Sequence, residues 1–243
     1  METVRRILQD KINDRIAPSK AVLIFGARRV GKTVMMRKIV DSYPGRTMML
    51  NGEDYDTLAL LENRSVANYR HLLEGIDLLA IDEAQNIPQI GSILNLIVDE
   101  IPGISVLASG SSSFDLLNKT DEPLVGCSTQ FLLTPFSQRE IAQTETALET
   151  RQNLEARLIY GSYPEVVMMD NYERKTDYLR DIVGAYLLKD ILAIDGLKNS
   201  SKMRDLLRII AFQLGSEVSY RGACGGRRST GACPSTGRAG RGS

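Results

Sequence analysis

A chain of 243 residues can hold one α/β domain and a smaller second element, and 43% apolar with 25% charged residues is the ordinary balance of a soluble globular protein. No apolar run approaches the roughly 20 residues a membrane span needs, and the opening Met1-Glu2-Thr3-Val4-Arg5-Arg6 is no signal sequence, so the chain reads as cytoplasmic with no membrane partner. The formal charge is zero, yet five of the 30 basic residues and none of the 30 acidic ones lie beyond Tyr220; the acidic remainder makes no case for nucleic acid as an obligatory partner.

Val4, Ile7, Leu8, Ile12 and Ile16 share one helical face, and Pro18-Ser19 ends it. Ala21-Val22-Leu23-Ile24-Phe25 is a continuous apolar run closed by Gly26, the pattern of a buried parallel strand. Val34, Met35, Ile39 and Val40 restore helical spacing until Pro44-Gly45. Residues 47–50 form a second expected strand, and 54–75 a helical stretch with polar interruptions. Residues 76–81 form a third strand, broken only by Asp77, which reads as solvated at its start. Residues 90–101 predict an amphipathic helix stopped by Pro102-Gly103, 104–108 a fourth strand and 130–133 a fifth. Strands alternating with helices at this spacing imply βαβ units, hence an α/β fold with a central parallel sheet flanked by helices.

From about Gln138 the strand signals fade. Residues 154–160, 171–192 and 201–214 have helical spacing, so the expected division is an α/β core over 1–140 and a smaller α-helical region over 141–220. Beyond Tyr220 the chain holds only Arg, Gly, Ala, Cys, Ser, Thr and Pro. With nothing larger and apolar to bury, that tail is expected to be disordered. Cys224 and Cys233 have no nearby His, and the three cysteines fit neither a disulfide framework nor a zinc site. The abrupt break after Tyr220, into residues of GC-rich codons, favours a frameshift or artefact truncating a longer protein over a native nucleic-acid-binding tail.

Gly26-Ala27-Arg28-Arg29-Val30-Gly31-Lys32-Thr33 matches G-x-x-x-x-G-K-[ST] at every fixed position, between an apolar strand and a helix. The glycines let consecutive amides, from Gly26 through Val34, point at phosphate oxygens, and the helix N-terminus adds positive charge there. Lys32 would bridge the β- and γ-phosphates, and the Thr33 hydroxyl would ligate Mg²⁺. Asp82-Glu83 closes the third strand, at the edge where open α/β sheets bind ligands. Asp82 is the expected metal-holding carboxylate, and Glu83 is placed to polarise an attacking water.

Ser109-Gly110-Ser111 closes the fourth strand with hydroxyls. Ser111 or Ser109 is the candidate polar sensor, and Ser112 or Ser113 is a competing N-cap for a helix near Phe114. The catalytic set is therefore Lys32, Glu83 and Ser111. ATP is preferred over GTP because of Glu83 and because no Asn-Lys-x-Asp base-reading motif is present. Arg28 and Arg29 are candidates for contact with nucleotide or a neighbouring subunit, with solvation as the plainer reading. Arg139 is a candidate finger or, more simply, a surface ion pair. His71 reads as a surface residue, and Met35, Met36, Met48 and Met49 as core filling.

With residues 132–141, which contain Pro135-Phe136-Ser137-Gln138-Arg139-Glu140, and with Gly161-Ser162-Tyr163-Pro164-Glu165, these segments resemble a family of prokaryotic AAA-type ATPases related to the STAND class. The matching stretches also include 26–33, 79–85 and 109–113, and the resemblance spans residues 1 to about 220. It implies ATP and Mg²⁺ as ligands, a helical lid beginning at Gly161 to Glu165, and Pro164 approaching the adenine side. Such proteins usually continue into a winged helix and a C-terminal domain of unknown function. Here the pattern stops where the winged helix should begin, so no DNA-directed activity is assigned. Gly126-Cys127 also stands where family members often carry Gly-Arg. The expected activity is MgATP binding with slow hydrolysis that switches the lid. The alternatives are a non-hydrolysing module acting on a protein partner or by self-association, and a DNA-associated ATPase lacking its effector domain.

Overall fold

The apolar runs become strands in the computed structural model, which describes residues 4–111, 128–187 and 200–212. β1 (Lys20–Phe25), β2 (Thr47–Asn51), β3 (Leu78–Asp82), β4 (Ser105–Gly110) and β5 (Ser128–Leu132) form one sheet in the order β2-β3-β4-β1-β5. Every pairing is parallel, with Ile24 opposite Ser109 and Ala108 opposite Ile81. The fold is thus the expected α/β arrangement of a P-loop protein, with β4 inserted between β1 and β3.

Strand side chains alternate between two helical layers. Leu23, Phe25, Leu79, Ile81, Val106 and Ala108 pack against α5 (Ile90–Glu100) and the pair α3 (Tyr55–Glu62) and α4 (Val66–Leu72). Val22, Ile24, Leu78, Ala80 and Leu107 face α1 (Ile7–Asn13) and α2 (Lys32–Ser42) through Ile12, Met35, Met36 and Ile39. Residues 21–25 are all buried on this double-faced strand, and each larger side chain contributes about 2 kcal/mol by leaving water. The helical stretch with polar interruptions expected over 54–75 forms two helices, α3 and α4. Ser65 accepts a bond from the Asn68 amide at 3.1 Å and so starts α4 afresh.

After β5 come five short helices, α6 (Gln138–Ile141), α7 (Ala147–Gln152), α8 (Leu154–Tyr160), α9 (Pro164–Met168) and α10 (Tyr172–Asp181). Ser137 with Glu140, and Thr146 with Glu149, form reciprocal capping boxes that start α6 and α7. The chain divides into two compact units, Met1–Tyr178 and Leu179–Ser243. The second contains the end of α10, a π-helical turn (Ile182–Leu187) and α11 (Ser200–Phe212). The single helix expected over 171–192 therefore changes hydrogen-bond register after Asp181, in a stretch that Gly184 weakens. The helix expected near Phe114, Ser112 and Ser113, the Gly126-Cys127 pair and the tail beyond Tyr220 lie outside the described residues.

The N-terminal helix is shorter than its apolar spacing suggests, because Val4 and Arg6 serve another purpose. Arg6 is extended and buried beside an equally buried Glu140, Nε to Oε1 at 3.4 Å. Its guanidinium lies 4.7 Å from the centre of the Phe136 ring, and Nη2 donates to the Thr134 carbonyl. Burial lowers the affinity of this guanidinium for its proton, and Glu140 opposes the shift. The Glu140 carboxylate also accepts from the Ile7 amide at 3.0 Å, the Ser137 amide at 2.8 Å and the Ser137 hydroxyl at 3.0 Å. The Pro-Phe-Ser-x-x-Glu stretch is thus a clamp on the N-terminal segment, closed by Val4, Phe136 and Ile141. Arg6→Met keeps the apolar stem and removes the counter-ion. We expect a loss of about 3 kcal/mol, seen as a lower urea midpoint at unchanged m value; an unmoved midpoint would show that the pair is dispensable.

Candidate functional site

β1 delivers the chain to Gly26 at the C-terminal edge of the sheet. The Leu133 amide donates to the Phe25 carbonyl at 2.7 Å, which lays the end of β5 across the loop. A Cβ at Gly26 would stand 2.3 Å from the Leu133 carbonyl oxygen, so no side chain fits there. Val30 is buried against the α2 face of the sheet and anchors the middle of the loop. Arg29 takes a left-handed conformation (φ 66°), as does Gly31 (φ 94°) at the N-cap of α2. Ala27, Arg29 and Val34 are exposed, while Arg28, Gly31 and Thr33 are half-buried. Lys32 is only 4% exposed. Its Nζ donates to the carbonyls of Gly26 at 2.9 Å and Ala27 at 3.2 Å, which brings the ammonium group inside the turn.

Alternation along β3 turns Asp82 to the same face as Leu78 and Ala80, toward α2. The Thr33 hydroxyl donates to Asp82 Oδ2 at 2.6 Å. Ser109 has the parity of Leu107 on the neighbouring strand, and its buried hydroxyl donates to Asp82 Oδ1. The Glu83 amide donates to Ser109 Oγ at 3.2 Å. Ser109 thus supplies the hydroxyl on the acidic pair, while Ser111 enters through its backbone, donating to Gln85 Oε1 at 3.3 Å. Glu83 is half-buried, left-handed (φ 50°), and accepts at Oε2 from Gln85 Nε2 at 2.5 Å. A hydroxyl and a carboxylate in contact, beside a buried ammonium at a helix N-terminus, suit a Mg²⁺ ion. Such an ion takes one or two protein oxygens and the rest of its shell from phosphate and water.

Pro164 heads α9 and lies against the loop, its Cγ 4.0 Å from where a Cβ on Gly31 would stand. The Phe136 amide donates to the Ser162 carbonyl at 2.9 Å, holding this turn near the end of β5. Arg29 leaves the loop to pair with Glu165 at 3.3 Å, and its guanidinium stands 5.9 Å from the Tyr178 ring centre. Burial, and then the neighbouring Glu165, push the Tyr178 hydroxyl well above the usual phenol range. Burial alone raises Tyr163. Arg29 is therefore tied to the helical region rather than simply solvated.

His71 is exposed at the end of α4, and Arg139 is exposed on α6. Met35 and Met36 are core, and Met48 and Met49 are half-buried. Asp77 is exposed but also accepts from the Arg46 amide at 2.7 Å, fixing the turn into β2. Sequence reasoning did not assign roles to Gln85, Gly52 or the Arg29–Glu165 pair. Gln85 closes the quoted stretch 79–85 and Glu165 closes the Gly-x-x-Pro-Glu segment, so the signal was position within those stretches.

Residues 18–142 match the model of an AAA domain, and residues 151–231 match a domain of unknown function (DUF8612). An uncharacterized protein of Methanocaldococcus jannaschii is 20% identical over 230 residues, 89% of this chain and 52% of its own length. An uncharacterized protein of Mycobacterium tuberculosis is 30% identical over 124 residues, 50% of this chain and 26% of its own length. The chain spans about half the length of the archaeal relative and about a quarter of the mycobacterial one. Among solved structures, a chain from the Drosophila ORC bound to DNA aligns with a TM-score of 0.41 and 18% identity, covering 87% of this chain and 67% of that one. None of the described helices is long and apolar enough to cross a membrane.

The contact at Gly26 is directly testable. Gly26→Ala forces apart the loop and the end of β5, and we expect a loss of roughly 2 kcal/mol, the usual scale of overpacking. Thermal denaturation of the variant measures it, and a wild-type melting temperature would contradict the close approach.

Proposed function

The chain belongs to the AAA domain family, and on that premise we propose that it binds MgATP at the loop from Gly26 to Val34 and hydrolyses it slowly. The observation that carries this reading is the convergence of the enclosed Lys32 ammonium with the bonded Thr33–Asp82 pair at one helix N-terminus. Lys32 would exchange its two carbonyl acceptors for phosphate oxygens, with the loop amides completing the cradle. Thr33 and Asp82 would hold Mg²⁺, and Ser109 would keep the Asp82 carboxylate oriented. The ion supplies charge neutralisation on the phosphates when bound. Glu83, beside the metal-holding carboxylate, would orient the attacking water. Phosphoryl transfer asks little more of a protein than such positioning.

Pro164 and Glu165 border the loop directly, which supports the helical region after β5 as the element that answers nucleotide. Phosphate release measured under single-turnover conditions tests turnover directly.

Lys32→Ala should abolish the thermal stabilisation that Mg-nucleotide gives the wild type, since only a ligand bound to the folded state raises its melting temperature. Glu83→Gln should keep that stabilisation and lose turnover by about 100-fold or more, the lower range for removing a general base. Retained nucleotide affinity in Lys32→Ala would remove the proposal.

A further inference from the structure

Glu83 is the group on which turnover depends in the reading above, and two different contacts hold it. Its backbone is fixed from β2: the Gly52 amide donates to the Asp82 carbonyl at 2.8 Å, and a Cβ on Gly52 would stand 2.4 Å from the Glu83 carbonyl oxygen. That close approach leaves no room for a side chain at position 52, beside a Glu83 in the left-handed conformation. A single 3₁₀ turn, Ala84–Asn86, follows at once. It is held by the Asn86 amide on the Glu83 carbonyl at 3.1 Å and anchored by the buried Ile87. The turn sends the Gln85 side chain back toward Glu83 and the end of β4.

The orientation of the Gln85 amide is decided by its neighbours. Its Oε1 accepts from the Ser111 backbone N–H at 3.3 Å, and only an oxygen can do that. The NH₂ group therefore faces Glu83, where it donates to Oε2 at 2.5 Å. An ionised carboxylate only accepts, so a donor is what Glu83 requires at that position. One carboxylate oxygen is pinned, and the side chain loses part of its rotational freedom.

We propose that Gln85 is the positioning residue for Glu83, linking the water-orienting carboxylate to the C-terminal end of β4 through the Ser111 amide. The inference rests on the reading of Glu83 as the group that orients water. It adds that the carboxylate must be held by an amide donor to do so.

Two variants separate this role from simple support of the β4 edge. Gln85→Met keeps the length and loses both hydrogen bonds. Gln85→Glu keeps an oxygen for the Ser111 amide but sets a second carboxylate against Glu83. Steady-state phosphate release with MgATP should show kcat lowered about tenfold to a hundredfold in both, with KM unchanged, as expected when a reacting group is displaced but the substrate site is intact. In the Glu83→Gln background, Gln85→Glu should lower the residual rate no further, because the partner through which it acts is gone. Wild-type kcat in Gln85→Glu, a rise in kcat, or an additive loss in the Glu83→Gln background would each overturn the inference. Gln85→Glu preserves the anchor to β4 if Gln85→Met fails to fold, and nucleotide-induced thermal stabilisation reports folding in each variant. Glu83→Gln measured alongside tells the two levels apart. If it turns over like the wild type, or the wild type releases no phosphate, the reading of Glu83 falls and this inference with it. If it is inactive while Gln85→Glu is not, only the inference falls.

Discussion

The position of β4 between β1 and β3 is the constraint from which the site follows. A strand inserted there separates the P-loop strand from the acidic strand by one place, and its terminal residues stand between the two. Because side chains alternate, Asp82 on β3 and Ser109 on β4 must share the face covered by α2, where Thr33 waits on the first turn. A slip of one residue in either strand would turn its polar group to the α5 face and leave the other without a partner. Both faces of these strands are apolar and buried, so the alternation alone does not exclude that slip; the Thr33 and Ser109 bonds to Asp82 are what the correct register satisfies.

Lys32 shows how the same core supports a charge. An ammonium group that is only 4% exposed is costly unless it is well hydrogen-bonded. Here the acceptors are carbonyls of its own loop, and the loop can curl around the group only because Val30 is packed below and Gly26 lets β5 cross above. On the proposed reading, phosphate oxygens would replace the carbonyl acceptors.

The strands were legible in the residues because a parallel sheet buried on both faces needs continuous apolar runs, and β1 and β3 have them. The edge strand β5 starts at Ser128 rather than at Gln130, since Ser128 and Thr129 join by backbone pairing with Ala21 and Val22 and carry no apolar signal. The loop was legible because its chemistry is written in local spacing. The hydroxyl on Asp82 was legible only as a choice between Ser109 and Ser111. The end of the strand decides it: both serines have the parity of Leu107, but Ser109 lies within β4 while Ser111 lies past its end. Contacts between distant segments could not be read at all. Nothing near Arg6 marks it as the partner of Glu140, and Arg29 and Glu165 are 136 positions apart.

The link between the loop and α9 can be weighed by magnitude. The Arg29–Glu165 pair is about half exposed on both sides, 47% and 51%. A solvent-screened pair of that kind contributes roughly 0.5 kcal/mol. Moving a two-state element from almost closed to almost open takes about 5 kcal/mol, so the ion pair cannot drive the proposed lid by itself. The other links are an apolar approach, Pro164 Cγ 4.0 Å from where a Cβ on Gly31 would stand, and the Phe136 amide on the Ser162 carbonyl. Gly31 is the last loop residue before Lys32, so Pro164 stands beside the part of the loop that leads into the ammonium group. On the proposed reading, coupling between nucleotide and the helical region falls to the approach of Pro164 to Gly31 and the Phe136–Ser162 bond more than to the Arg29–Glu165 pair.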